Sequence, residues 1–537
     1  MPAPMNKAKQ QITRILSYAS GHSEFILALS LLFVVRYLCT FISDSTPYLL
    51  QDIRSSFNLT NERLILIKSI PWAAGISVAL LAGNLCSAFG TKRILTIGLS
   101  LNGIAALLIY FSKSSAMLMP GLALLGFAGS ISTIAGYNLI GNFKLTPKSI
   151  AMLVGIWSFS GNLGYVTSPL ISSMILADIS NSRQAISVVW LMFTTLAILL
   201  LSPYRDKAEK TANDVDYVLL ILAGLCFSLG ASLPLINALT PSIFPLILAC
   251  NAILIALTIS FAKNSLYFKR QMGFIANPVI VLGLTALAAN NFVDWNYLSE
   301  RFLALRYSLQ LSEIAVWLTP SNLAGLAGAG LFSLLSLRVG VKKIIFFGIS
   351  GCLIIALLYA HININTSLFN ISMAIAVYVL FDTIIDNGIT ASVINFVPNN
   401  LLANFEASSM ILNTIAGCIG AAFSSRVVFN TFQNHLFDKL IPLPLGNSET
   451  TFIAELITQG RRSFVLQHGF GLSSYHLKSF LHRSALPSLE AAIAGFHMLG
   501  WLCLASLIIT SCLYFACVIV NNKRRAAPGN YISILDR

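Results

Sequence analysis

The sequence places a few ionisable side chains inside long apolar stretches, where a lipid bilayer would surround them. These residues are Arg36, Asp44, Asp294, Asp382 and Asp386. A charged side chain at the centre of a bilayer costs about 2.5–3.5 kcal/mol on insertion scales, so such residues usually line an internal cavity or a proton path. The chemistry they predict is reversible binding of protons or of a polar substrate.

Asp382 and Asp386 are the strongest candidates for carrying a proton. Their spacing of four residues places both carboxyl groups on one face of a helix. Two carboxylates that are close together in a medium of low dielectric constant repel, so the pair can hold and release a proton near neutral pH. Two alternatives remain open: a structural network with Arg426 or Lys343, and a helix break at residues 386–388.

The surroundings of Asp294 are unusually polar for a membrane-spanning helix. Asn290, Asn291, Trp295 and Asn296 flank this acid. Amide groups beside an aromatic ring are typical of a substrate site in a membrane cavity. An equally weighted alternative is the outer end of a helix, where Trp and Tyr collect at the lipid headgroups.

Arg36 and Asp44 share the first apolar stretch but are eight residues apart, which is about 12 Å along a helix axis. A direct ion pair between them is therefore not expected. Arg36 is predicted to meet an acid from another helix and to set the charge balance of the cavity, with a buried structural ion pair as the alternative. Asp44 is either a proton site or an acid at the membrane interface.

The composition shows which elements must position these residues. Of 537 residues, 56% are hydrophobic and 10% are charged, whereas soluble domains are about 25% charged. This balance excludes water-soluble enzymes, disordered chains and disulfide scaffolds, and it predicts an all-α membrane protein with no enzymatic activity and no cofactor. The nine cysteines form no CxxC pair, and no metal-ligand spacing occurs.

Hydropathy predicts fourteen spanning helices, and charge predicts their orientation. With a cytoplasmic N-terminus, the inner segments carry 19 Lys and Arg residues and the short outer loops carry 6. The positive-inside rule then places both termini in the cytoplasm, and it explains the net charge of +14 without a nucleic-acid partner. The predicted segments are an N-terminal tail (1–23), a six-helix bundle (24–205), two inserted helices with linkers (206–270), a second six-helix bundle with a long outer loop at 432–488 (271–521), and a C-terminal tail (522–537).

An internal repeat relates the two bundles. Gly90 is followed by Lys92 and Arg93, and Gly340 is followed by Lys342 and Lys343. Asp44 precedes Gly90 by 46 residues, and Asp294 precedes Gly340 by 46, so the halves are in register at an offset of 250. Repeats with an even number of helices share one orientation, which is typical of transporters built from parallel halves.

This arrangement resembles the major facilitator superfamily, and in particular its fourteen-helix drug:proton antiporter branch. Gly83, Leu85, Gly90, Lys92 and Arg93 match the family motif G-x-L-x-D-x-x-G-x-K/R. The aspartate of that motif is Ser87 here, which weakens the ion-pair latch that the family uses at its inner gate.

A second motif of that branch lies in helix 5. Gly164 and Pro169 match the antiporter motif G-x-x-x-G-P-x-x-G-G, and Ser168 replaces its second glycine. Small residues allow helices to approach closely, and proline bends a helix. A serine can keep the packing role of the glycine, but the replacements leave drug specificity and coupling open.

The resemblance implies proton-coupled efflux of a small amphipathic or metal-chelating compound by alternating access. The expected partners are this substrate, protons and the lipid bilayer, with a periplasmic adaptor if the host has two membranes. The expected location is a bacterial inner membrane. Two alternatives stay open: an importer or facilitator on the same fold, and a membrane receptor or assembly component that does not transport.

Overall fold

The structure is a computed structural model that describes eleven segments of the chain. They are residues 23–57, 61–142, 147–178, 182–204, 216–239, 244–264, 277–293, 311–363, 365–398, 401–440 and 474–526. Within these segments the chain forms fourteen α-helices and no β-strand. The predicted all-α fold with fourteen helices is thereby confirmed.

The helices are numbered here in chain order. They are α1 Ser23–Phe57, α2 Asn61–Phe89, α3 Thr91–Phe111, α4 Ser115–Asn138, α5 Pro147–Asp178, α6 Ser182–Leu201, α7 Tyr217–Leu239, α8 Phe244–Asn264, α9 Pro278–Asn290, α10 Leu311–Ser336, α11 Val341–Tyr359, α12 Leu368–Ile394, α13 Leu402–Leu440 and α14 Ser474–Ala526. A short 3-10 helix, Leu139–Asn142, follows α4. Eleven helices contain an apolar stretch long enough to cross a membrane, and α7 and α9 contain shorter ones.

Two groups of six helices repeat the same packing. In the first group α1 packs on α5 and α6, α2 packs on α4, and α3 packs on α4 and α6. In the second group α9 packs on α13 and α14, α10 packs on α12, and α11 packs on α12 and α14. Each contact of the first group thus recurs eight helices later. The two groups are called the first half and the second half below.

The glycines at the centre of the sequence repeat have the same backbone conformation. Gly90 begins α3 and Gly340 begins α11, each with a φ of 89°. Their carbonyl groups accept hydrogen bonds from the amides of Ile94 and Ile344, both at 3.4 Å. Residues with a side chain rarely adopt this conformation, so the turn explains the glycine at both positions. The end of the bundle that holds residues 90–93 and 340–343 is called the basic-loop end.

The inserted helices α7 and α8 lie beside the join between the halves. Helix α7 contacts α2 of the first half and α13 of the second half, while α8 packs on α7. The contact with α2 is close: a Cβ atom on Gly224 would meet the carbonyl oxygen of Ser77, and the Ser228 hydroxyl donates to the Ala73 carbonyl at 2.7 Å. Helix α8 exposes most of its apolar side chains, as expected for a surface that faces lipid.

Three boundaries differ from those expected. Helix α13 continues to Leu440 and α14 already begins at Ser474, so helix replaces both ends of the expected loop 432–488. Residues 431–440 contain no Gly or Pro, and Pro442 follows them, which explains where α13 ends. Helix α9 ends at Asn290, and beyond it the Phe292 amide bonds three residues back, to the Ala289 carbonyl at 3.3 Å, instead of four. Helix α12 runs without a break through residues 386–388.

Candidate functional site

The two acids of α12 face the end of α9. The side-chain amide of Asn290 donates to Asp382 Oδ1 at 2.9 Å, and that of Asn291 donates to Asp386 Oδ1 at 3.4 Å. Asn290, the last residue of α9, and Asn291, the residue after it, thus bond to acids that are one turn apart on α12. The structure therefore brings together four residues that the sequence analysis assigned to a proton pair and to a substrate cavity.

Arg36 reaches the same region from the first half. Its guanidinium lies over the Trp157 ring of α5, 5.2 Å from the ring centroid. Its charge acts on Asp386 and also on Glu406 of α13. The sequence analysis expected Arg36 to meet an acid from another helix, and the structure places two such acids in the opposite half.

Glu406 is the acid that the sequence analysis missed. It lies in the first turns of α13, is partly buried, and interacts electrostatically with Asp386 and Arg36. The criterion that selected the other acids, an ionisable residue inside an apolar segment, also selects Glu406. Over the described residues, Asp382, Asp386 and Glu406 form an acidic cluster in the second half.

Tyr137 of α4 completes the site on the first half. Its ring meets the Trp157 ring edge-on, with centroids 5.4 Å apart. The charges of Arg36, Asp386 and Glu406 all act on this tyrosine. Its hydroxyl is buried and has no hydrogen-bond partner among the described residues. Tyr137 could not be recognised from the sequence, because a tyrosine in an apolar helix usually has only a packing role.

Polar and close contacts join the two halves beside this site. The side-chain amide of Asn387 donates to the Ser158 hydroxyl at 3.0 Å, across the α12–α5 contact. Nearer the basic-loop end, a Cβ atom on Gly155 of α5 would lie 2.0 Å from the Ser333 hydroxyl of α10. The halves therefore touch along α5 from Ser158 toward the basic-loop end.

The residues of the predicted gating motif form a second contact between the halves. A Cβ atom on Gly83 would lie 2.6 Å from Asn404 Oδ1 on α13, and the Asn404 amide donates to Asn84 Oδ1 at 3.4 Å. The Ser87 hydroxyl donates to the Gly83 carbonyl of its own helix at 3.4 Å. Leu85 is partly buried against the core. A neutral amide pair, Asn84–Asn404, thus joins the halves about one turn from Ser87.

The basic residues of the motif lie toward the surface. Lys92 donates to the Ser202 carbonyl after α6 at 2.8 Å. The side chains of Arg93, Lys342 and Lys343 are exposed. Because Lys343 is exposed, a buried network between it and the acids of α12 is not supported, and the Arg426 side chain lies outside the described residues.

The helix 5 motif packs α5 on α1. A Cβ atom on Gly164 would lie 3.0 Å from the Tyr37 carbonyl oxygen and 3.0 Å from the Phe41 nitrogen. Ser168 is fully buried, and Pro169 lies inside a continuous helix. These positions fit the role of small residues in close helix packing.

The two remaining predicted site regions are those around Asp44 and around Asp294. Asp44 is partly buried on α1, two turns from Arg36. Asp294, Trp295 and Asn296 lie outside the described residues.

Comparison with known proteins identifies the family. A sequence model of the Major Facilitator Superfamily matches residues 29–425. The chain belongs to this superfamily of transporters. The match covers both halves through most of α13, and it includes Arg36 and the acidic cluster.

Relatives and solved structures agree with this membership. The chain is 24% identical over 335 residues, 59% of its length, to a multidrug transporter of the superfamily, mfsC of Aspergillus fumigatus. It is 24% identical over 272 residues, 49% of its length, to the methyl viologen resistance protein SmvA of Salmonella typhimurium. The matches span 62% and 54% of these relatives' own lengths. The human organic anion transporter MFSD10 has a similar fold, with a TM-score of 0.57, 11% identity, and coverage of 90% of this chain and 99% of that chain.

Proposed function

We propose that this superfamily member expels a small amphipathic or metal-chelating compound from the cell in exchange for protons. The observation that carries the proposal is the position of Asp382, Asp386 and Glu406 in one half, opposite Arg36 in the other. In the described part of the chain, Asp386 and Glu406 thus share one neighbouring arginine at the join between the halves, and Asp382 lies one turn from Asp386.

The acids of α12 are the proposed proton carriers. Each accepts one hydrogen bond from an amide of α9, so each is held in place without a fixed positive charge bonded to it. Three clustered carboxylates, two of which interact with Arg36, carry more negative charge than one arginine can balance, and a proton is the simplest cation that relieves the excess. Asp44 and Asp294 remain further candidates along the proton path.

Arg36 is proposed to couple proton binding to the movement of the halves. While Asp386 and Glu406 are ionised, their attraction to Arg36 holds the halves together near Trp157. Protonation removes this attraction, and the halves separate more easily on the side that admits substrate. Protons and substrate then alternate at the site, which is the requirement for exchange.

The contacts at the basic-loop end support alternating access. The halves meet there through Gly155, Ser333, Gly83 and Asn404, which combine small residues with one weak amide pair. Such contacts pack closely but break without separating buried ions. We propose that the protein lies in a bacterial inner membrane, with this end and both termini in the cytoplasm, as the basic residues of its loops favour.

The names of the two relatives support export over import. One is named as a multidrug transporter and the other as a resistance protein, and resistance to a toxic compound is most directly achieved by its export. Import of a metabolite, or a receptor function without transport, are the alternative outcomes of the test. In a host with two membranes, a periplasmic adaptor is a further proposed partner.

The test compares small molecules inside and outside cells that contain or lack the protein, with and without a collapsed proton gradient. Compounds depleted from cells only when both protein and gradient are present would support proton-coupled export. Accumulation of a compound would instead indicate import. No difference across a broad compound set would contradict transport.

A further inference from the structure

Among the buried hydrogen-bond donors of the first half that have no partner among the described residues, two lie at this site: Arg36 Nε and the Tyr137 hydroxyl. The Tyr137 side chain is only 1% exposed. Buried donors are nearly always paired, because an unpaired one loses its bonds to water without replacing them. Unpaired donors at a transport site indicate where a substrate's acceptor group would bind.

Both donors lie against one aromatic ring. The Arg36 guanidinium is 5.2 Å from the Trp157 centroid, and the Tyr137 ring centroid is 5.4 Å from it. A Cβ atom on Gly161 would lie 2.8 Å from Arg36 Nε, and one on Gly136 would lie 3.1 Å from the Trp157 ring. A larger residue at either position would displace the Arg36 side chain or the Trp157 ring. Glycine at both positions therefore permits this arrangement.

The second half presents the opposite chemistry. Asp386 and Glu406 act electrostatically on both Arg36 and Tyr137. One half therefore offers donors and a positive charge, and the other offers acceptors and negative charge. A ligand between the halves meets both.

We infer that the site selects bipolar compounds, with an oxyanion bound by Arg36 and Tyr137, a cationic group bound by Asp386 and Glu406, and an aromatic or apolar body beside Trp157. This inference rests on the proposed transport function and narrows its substrate class. A purely cationic compound would leave the two donors unpaired, and a purely anionic one would face the acids. Unpaired polar groups and like charges are the penalties that create specificity.

Three dyes with one xanthene skeleton test this inference by equilibrium binding. Tetramethylrhodamine carries a carboxylate and a cation, its methyl ester keeps only the cation, and fluorescein is an anion. Fluorescence anisotropy with the purified full-length protein gives the three dissociation constants. We expect tetramethylrhodamine to bind about tenfold more tightly than either of the others, because hydrogen bonds to charged groups contribute about this factor.

Variants assign the difference to the site. Tyr137→Phe removes one oxygen atom and Arg36→Gln removes the charge; each should weaken tetramethylrhodamine binding about tenfold and leave the methyl ester within about threefold. Glu406→Gln should weaken both cationic dyes and spare fluorescein. Tyr359→Phe is the control, since that buried tyrosine donates to the Ile371 carbonyl in the second half. Thermal melting of each variant identifies any that fails to fold, and the single-atom Tyr137→Phe change keeps the test available.

Equal affinity for the three dyes, tightest binding of the methyl ester, or no binding of any dye by the folded protein would overturn the inference. Equilibrium binding needs no proton gradient, so this measurement tests the inferred substrate class independently of the proposed proton exchange. Selective dye binding without gradient-driven export would contradict the proposed proton coupling and leave the inferred substrate class intact. Gradient-driven export without selective dye binding would overturn the inferred substrate class and leave the proposed function intact.

Discussion

Asn387 of α12 donates a 3.0 Å hydrogen bond to Ser158 of α5, and this bond joins the two halves. The residues adjacent to it in the chain are Asp386 and Trp157, one from the acidic cluster and one from the Arg36 site. Movement of the halves apart at this site would break this bond. Substitutions at Asn387 and Ser158 can therefore test how contact between the halves relates to proton binding.

The Asn387–Ser158 bond is predicted to stabilise the state in which the basic-loop end is closed. Asn387→Ala and Ser158→Ala should each lower the thermal melting temperature, and Ser158→Ala should lower it more, because that hydroxyl also accepts the Asn162 side-chain amide at 3.3 Å. The double variant should lower it little beyond Ser158→Ala, because the Asn387–Ser158 bond is already lost there. The expected coupling energy is about 0.5–1.5 kcal/mol. Ser511→Ala is a matched control, since its hydroxyl donates only within α14 to the Leu507 carbonyl at 2.6 Å. Additive effects of the two substitutions would show that the bond contributes nothing.

Gly155 is predicted to be indispensable for the close approach of α5 and α10. A Cβ atom there would lie 2.0 Å from the Ser333 hydroxyl, so Gly155→Ala must push the helices apart or displace the serine. We expect at least a tenfold loss of transport and about 1–3 kcal/mol of destabilisation, which is typical of overpacking. Gly129→Ala in α4 is the control, because a Cβ atom there meets nothing within 4 Å. Equal transport by the two variants would contradict the contact.

The repeated turns at Gly90 and Gly340 are predicted to respond alike to substitution. Both have a φ of 89° with ψ of 152° and 140°, a region that is nearly restricted to glycine. Gly340→Ala meets no neighbour, so any loss of stability must come from the backbone itself. We expect each alanine variant to lose about 1–3 kcal/mol, as is typical of a strained backbone conformation. Thermal melting of both variants against Gly129→Ala measures this loss, and an unchanged melting temperature would show that the turns adapt.

The orientation of the chain gives a fourth prediction. We proposed above, from the excess of basic residues in the inner segments, that the basic-loop end and both termini face the cytoplasm. A fluorescent protein fused after Arg525 should be active inside the cell, and one inserted at Lys113, after α3, should be exported. The reverse pattern of reporter activity would contradict the proposed cytoplasmic position of the basic-loop end.

The fold could be predicted because it depends on features that a sequence displays directly. Apolar length indicates the helices, and the recurrence of Gly90 at Gly340 indicates the repeat. Helix ends were less predictable where polar residues extend a helix beyond the apolar stretch, as in α13 up to Leu440. The end of α9 is marked by the change to a bond three residues back at Phe292, which apolar length does not reveal.

The candidate site was predictable only as far as charge in an apolar segment reveals it. Asp382, Asp386 and Arg36 carry that signal, and Glu406 carries it too, close to the start of its helix. Tyr137 and Ser158 carry no such signal, because their roles come from contacts between distant segments. The pairing of Asn290 with Asp382 likewise joins residues 92 positions apart.

The most direct test of the account is substrate-driven proton movement in sealed vesicles that contain the purified protein and a pH-sensitive dye. The substrate is the compound identified by comparing cells with and without the protein. Adding the substrate should move protons in the direction opposite to substrate movement, and it should do so equally in the wild type and in the control variant Asp216→Asn. Asp216 lies at the start of α7, where its carboxylate accepts the Leu219 amide at 3.1 Å. No proton movement is expected for the Asp382→Asn/Asp386→Asn double variant. Undiminished proton movement in that double variant would contradict the role of the α12 acids in coupling.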